Sequence, residues 1–226
     1  MALAALTAAS TLALAAIAEG AGEIRSSVTC CTFEASSYSI AAGQVATFSN
    51  ASVGTPHNVT ATLKGPDGKS LFRSATIGGS RSAPVNGTQY LGPGTYRFFC
   101  TVHGPSMSSS LEVGPGTAIP RPQLSVSVLS SRIARVRNSG KLIVTLADAG
   151  SNADGVSLKA AVAGVTIARK GGVDVDAGAR RQVSLPLTAR GRRKLEDRDR
   201  AVVAVTAAVP FGKPDAARRV LGSQSA

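Results

Sequence analysis

Cys100, His103 and Met107 stand in one short run, Thr95-Tyr-Arg-Phe-Phe-Cys100-Thr-Val-His103-Gly-Pro-Ser-Met107, and His57 stands upstream in Pro56-His57-Asn58-Val59. His57 and His103 are the only histidines of the 226 residues, and Met107 is the one methionine besides Met1. One thiolate, two neutral imidazoles and a weak thioether suit an ion that cycles between Cu(I), which favours sulfur, and Cu(II), which favours nitrogen. Zinc is the competing ion. Its structural sites take four cysteine or histidine ligands, and a thioether is a poor donor to it. Taken singly, a cysteine closing an apolar strand or a lone methionine is ordinarily packing. Their conjunction with both histidines gives the metal reading its weight. A copper enzyme with a second centre would need further histidines, and none remain.

The elements around these residues must bring them together. Strand alternation places Tyr96, Phe98 and Cys100 on one face, the apolar one, so Cys100 points inward. Gly104-Pro105 then turns the chain and returns His103 and Met107 beside it. His57 arrives on a run of its own, His57 to Leu63, which reads as a strand. Other short β-type runs are Thr32–Glu34, Tyr38–Ile40, Gln44–Phe48 and Leu111–Val113, with turns at Gly65-Pro-Asp-Gly68 and Gly92-Pro-Gly94. Short strands at this spacing predict a β-sandwich.

Residues 115 to 122 read as a linker because Pro and Gly suit neither helix nor strand there. Beyond it, runs at 123–128, 141–146, 156–162, 165–167, 182–187 and 201–207 alternate apolar with polar, and residues 190 to 200 read as a helical crossover. The expectation is an all-β chain with a second, immunoglobulin-like β-sandwich over 123 to 210 and a C-terminal tail over 211 to 226. That half contains no His, Cys or Met and carries no site.

Residues 26 to 114 resemble the plastocyanin-like cupredoxins, the type 1 blue copper proteins. The matching words are Pro56-His57-Asn58-Val59, Gly94-Thr-Tyr-Arg-Phe-Phe-Cys100-x-x-His103, Met107, and the closing strand Ser109–Val113. The resemblance implies a Greek-key sandwich holding one copper ion. His57, Cys100 and His103 would be equatorial ligands, Met107 the axial one, and Asn58 the residue tying the first ligand strand to the cysteine loop. It also implies single-electron transfer through the edge of His103 between donor and acceptor proteins, rather than an enzyme. The chain departs from plant plastocyanins in a shorter loop from His103 to Met107, in Phe99 where those have a surface tyrosine, and in lacking an acidic run. Photosynthetic partners are therefore not implied. Copper storage or delivery without fast electron exchange is the alternative, as is a wall-associated structural protein with a basic C-terminal half.

Residues 1 to 18 are uncharged, apolar and end in a small-x-small signature, which reads as a secretory signal peptide, with a retained N-terminal membrane anchor as the alternative. Residues 19 to 25 would be a tether. The expected location is periplasmic, cell-surface or extracellular. With Cys100 assigned to the metal, the neighbours Cys30 and Cys31 either form a vicinal disulfide or point to opposite faces of a strand. The net charge of +12 is uneven: residues 19 to 114 hold six basic and five acidic residues, and residues 115 to 226 hold 19 and eight. The basic half could attract a cell-wall polyanion or an anionic membrane surface. Specific nucleic-acid binding lacks the aromatic interleaving or recognition motif that would support it.

Overall fold

The computed structural model describes residues 22 to 223, so the signal reading over 1 to 18 and the last three residues lie outside the described residues. The first sandwich contains β1 (Glu23–Arg25), β2 (Ser37–Ala42), β3 (Ala46–Asn50), β4 (Thr60–Ala61), β5 (Arg81–Val85), a 3-10 turn at Thr88–Tyr90, β6 (Gly94–Cys100) and β7 (Gly104–Gly116). One sheet has the order β1-β3-β5 and the other β2-β7-β6-β4. From β1 to β6, successive strands alternate between the two sheets, so the inner faces are assembled from residues far apart in sequence. Between them lie Ile24, Phe48, Phe72, Phe98 and Leu111, all fully buried. Burying each such side chain contributes about 1.5–3 kcal/mol. Phe33 meets Phe98 edge to face with centroids 4.9 Å apart, and Phe98 also contacts Phe72 at 6.3 Å.

Several segments depart from the sequence expectation. Residues 23 to 25, read as tether, form β1 in parallel register with Thr47–Ser49 of β3. The run at 32–34 shrinks to a single bridge between Phe33 and Ser26. The strand expected from His57 to Leu63 is regular only over β4. Its flanks pair through isolated bridges with a strap, His57 with Ile77 and Thr60 with Arg73. The turn placed at Gly104-Pro105 falls instead at Thr101–His103, and Gly104 already pairs with Cys100. β7 continues through Gly114-Pro-Gly116, because β2 runs parallel to it as far as Gly116.

The second sandwich contains β8 (Leu124–Val128), α1 (Ile133–Ser139), β9 (Lys141–Asp148), β10 (Ala153–Val162), β11 (Val165–Val175), β12 (Arg180–Pro186), α2 (Ala189–Leu195), β13 (Ala201–Ala208) and β14 (Asp215–Leu221). Its sheets have the orders β12-β9-β8 and β11-β10-β13-β14. Strict alternation of buried and exposed residues along β8 and β13 shows why they lie half-buried. Thr188 caps α2 by accepting a hydrogen bond from the Gly191 amide at 2.9 Å. The region read as a tail supplies β14, which pairs along its length with β13.

The two sandwiches touch through Phe211, a buried residue with φ of 63°. Its amide donates to Asp67 Oδ2 at 3.1 Å, and its carbonyl accepts from Arg121 Nη1 at 3.2 Å. Its ring lies under the Arg73 guanidinium at 4.2 Å and beside Tyr90 at 6.1 Å. Arg73 also pairs with Asp67 at 3.2 Å. Burial raises the Asp67 carboxyl, but hydrogen bonds from Phe211, Lys69 and Arg73 outweigh it and hold the group below its ordinary range.

Candidate metal centre

β6 delivers Cys100 to the interior at its last residue, where alternation from Phe98 sets its direction. The three-residue turn Thr101–His103 then reverses the chain into β7, leaving His103 at the rim and Met107 fully buried on the returning strand. His57 comes from the other side. Its amide and carbonyl exchange hydrogen bonds with Ile77, both at 3.0 Å, and its side chain is fully buried. Cys100 Sγ lies 3.7 Å from Nδ1 of His57 and 3.7 Å from Nδ1 of His103. The three donor atoms lie within 4.8 Å of one another, and the imidazole centroids are 4.7 Å apart. His103 is only partly buried.

Two networks fix the His57 segment. Asn58 Nδ2 donates to Thr101 Oγ1 at 2.7 Å and to Thr76 Oγ1 at 2.8 Å, while its Oδ1 accepts from the Thr101 amide at 2.9 Å. The first residue after Cys100 is thereby tied to the first residue after His57. Asn50, 1 % exposed, does the same from below. Its Nδ2 donates to the carbonyls of Thr55 at 2.8 Å and Ile77 at 2.9 Å, and its Oδ1 accepts from Ser26 Oγ at 2.8 Å. Sequence reasoning singled out Asn58 but not Asn50, Thr76, Thr101 or Ser26. These are small polar residues of ordinary loop composition: burial marks Asn50 and Ser26, while the exposed Thr76 and Thr101 are marked only by their bonds to Asn58.

The arrangement fits a metal on its own terms. His57 turns Nδ1 to the Cys100 sulfur, and its Nε2 is buried without a hydrogen-bond partner, so no hydrogen bond from outside the donor cluster accounts for this imidazole's position. Burial pulls His57 below its ordinary range and the adjacent His103 lowers it further, which keeps it in the neutral form that can donate a lone pair. Sulfur and nitrogen donors at about 2.3 and 2.0 Å from one first-row ion, spread by about 120°, stand about 3.7 Å apart. Both sulfur–nitrogen separations here have that value. A single thiolate with two imidazoles and a thioether is the donor set of copper rather than of structural zinc.

No protein-family model matches the chain, and no curated protein matches it in sequence. Among solved structures, auracyanin A, a "blue" copper protein from Chloroflexus aurantiacus, matches 41 % of this chain and 96 % of its own at 24 % identity and a TM-score of 0.35. Auracyanin from Roseiflexus castenholzii matches 41 % of this chain and 95 % of its own at 20 % identity and a TM-score of 0.33. Amicyanin from Paracoccus versutus matches 44 % of this chain and 87 % of its own at 25 % identity and a TM-score of 0.34.

Proposed function

We propose that this chain is an exported type 1 copper protein that carries single electrons between partner proteins and is not itself an enzyme. The observation that carries the reading is the buried Cys100 thiol flanked at 3.7 Å by two imidazole nitrogens, of which only His103 reaches the surface. Copper bound by His57, Cys100, His103 and Met107 supplies a one-electron Cu(I)/Cu(II) couple. The protein's own residues do the rest. Asn58 and Asn50 hold the His57 segment through bonds to backbone and hydroxyl groups, so donor positions do not depend on a mobile loop. The Phe-lined interior beneath Cys100 excludes water. His103 is the exit to solvent, and exposed apolar side chains lie on the segments around the site: Val102 beside it, Val53 on the loop before His57, and Val28 before Cys30. Such a rim suits brief contacts that desolvate easily.

The division into a copper-binding unit over 26 to 114 and an immunoglobulin-like unit over 123 to 210 belongs to the same proposal. It is supported by two separate hydrophobic clusters, one drawn from residues 24 to 113 and the other from 124 to 221. The second unit serves as a basic spacer or docking module for a polyanionic surface. Export rests on the apolar leader, and among the described residues no helix is long and apolar enough to cross a membrane.

The test is the visible and electron paramagnetic resonance spectrum of the protein with one equivalent of Cu(II). An intense blue band with narrow hyperfine splitting, bleached by ascorbate and absent from Cys100→Ala, is the expected result. A colourless or ordinary tetragonal spectrum overturns electron transfer. Copper delivery is the second reading, favoured by a sulfur pair beside His103.

A further inference from the structure

His103 belongs to a second cluster of donors. Its ring and the sulfurs of Cys30 and Cys31 bring three ligand atoms within 4.8 Å of one another, and none of the three residues is fully buried. Cys30 and Cys31 are joined as a vicinal disulfide, so the bonded alternative left open by the sequence is the one found. They occupy the tip of a short turn closed by the Ser27 amide on the Thr32 carbonyl at 2.9 Å. The turn is anchored where it matters: Phe33, directly after it, packs 4.9 Å from Phe98, two residues before Cys100. Both cysteines have positive φ, 76° and 72°, a conformation that residues with a Cβ seldom adopt. Such backbone persists only where surrounding structure over-determines it, and it concentrates at functional sites. Cys31 is exposed and Cys30 partly so, so solution thiols can reach the bond.

We propose that the Cys30–Cys31 pair, once reduced, joins His103 in a second, surface-facing Cu(I) site that hands the ion to Cys100 and His57 across the shared imidazole. The proposal rests on the copper reading of the buried centre. Reduction is a thiol–disulfide exchange: two molecules of an external thiol give two electrons and two protons to the Cys30–Cys31 bond and leave joined as their own disulfide. Binding of Cu(I) then releases the two thiol protons, and the ion's oxidation state does not change. Thiolates are soft donors that select Cu(I), whereas the disulfide offers no thiolate. The pair is therefore open to copper when reduced and closed when oxidised. His103 belongs to both donor sets, so the ion moves inward by exchanging sulfur partners about one imidazole.

Cys100→Ala removes the inner thiolate and isolates the outer site. Titrated with Cu(I) against a chromogenic Cu(I) chelator, the variant with its pair reduced by a phosphine takes one ion per chain. Oxidation of the pair, or addition of Cys30→Ser and Cys31→Ser, lowers the apparent affinity by more than the roughly 10–100-fold that outer-shell changes cost. Equal binding in reduced, oxidised and serine forms overturns the proposal. In the wild-type chain, the rate of Cu(I) transfer from the same chelator gives an independent readout. Reduction of the pair speeds it, and Cys30→Ser with Cys31→Ser holds it at the slow rate; identical rates overturn the proposal. The Cu(II) spectrum of the wild-type chain separates the two readings. A blue protein without redox-dependent Cu(I) uptake loses only the outer site, and a colourless protein with such uptake loses only electron transfer.

Discussion

The interior of the first sandwich combines Phe33, Phe48, Phe72 and Phe98 with a thiol, a thioether and a buried imidazole, while the second is closed by valine, leucine, isoleucine and alanine alone. The difference extends to the backbone. The second sandwich is built of long strands in regular antiparallel pairs, β10 with β13 and β9 with β12 among them. The first contains a two-residue strand, several isolated bridges and two parallel pairings, and its irregular parts are the segments carrying His57, Cys30 and Cys31. A uniform aliphatic core can be closed by alternation alone. A core that must bring a thiol and two imidazoles to one point gives up ladder bonds, and polar side chains such as Asn50 and Asn58 replace them.

The sharpest way to break this contrast is to remove one aromatic. Phe98→Ala should cost about 3–5 kcal/mol, because the ring is fully buried against three other aromatics and lies two residues from Cys100. Calorimetry should show the first sandwich melting earlier, with a broadened blue band. Leu142→Ala in the second core should cost about 2–5 kcal/mol and leave the copper spectrum unchanged. A spectral change on Leu142→Ala would mean that the two cores are not independent. Next comes Asn50→Ala, which takes away the partner of the Thr55 carbonyl and of the Ser52 amide and should cost about 1–3 kcal/mol. It should loosen copper more than an equally destabilising surface change does, as read by chelator competition.

The smallest expected effect sharpens the comparison where the two halves meet. Asp67 is held below its ordinary range when folded, so its contribution is whole above about pH 4, the unfolded value, and is lost as pH falls through the folded value. About 1 kcal/mol is at stake. Small-angle scattering should show expansion of the chain below pH 4 before either sandwich unfolds by circular dichroism. Asp67→Asn should remove that step, and an identical acid profile in the variant would exclude Asp67 as the group responsible.

How much of this was legible in the sequence follows the same division. β9, β10 and β13 could be read because their apolar residues recur at every second position. β5, with the sequence Arg-Ser-Ala-Pro-Val, and β14, with Asp-Ala-Ala-Arg-Arg-Val-Leu, could not. Both are edge strands bonded to one neighbour, and their polar residues give no period. β1 is too short to show one, and its partner lies more than twenty residues away. At the candidate site, His57, Cys100 and His103 stood out because rare residue types stood at telling intervals, and the structure brings their donor atoms together. Met107 is buried in the same core cluster as Cys100. The Cys30–Cys31 turn escaped because alternation describes strands, and consecutive left-handed residues form none.

The Phe211 contact changes what kind of object the chain is. With its amide on Asp67, its carbonyl on Arg121 and its ring under Arg73, the connection from Thr117 to Gln123 does not act as a free hinge. A freely jointed pair of sandwiches would dilute the His103 edge over the whole volume its linker sweeps, and the effective concentration at any one partner would fall accordingly. A clasped pair has a single orientation. Wherever the basic half comes to rest, it has also chosen the direction in which His103 faces.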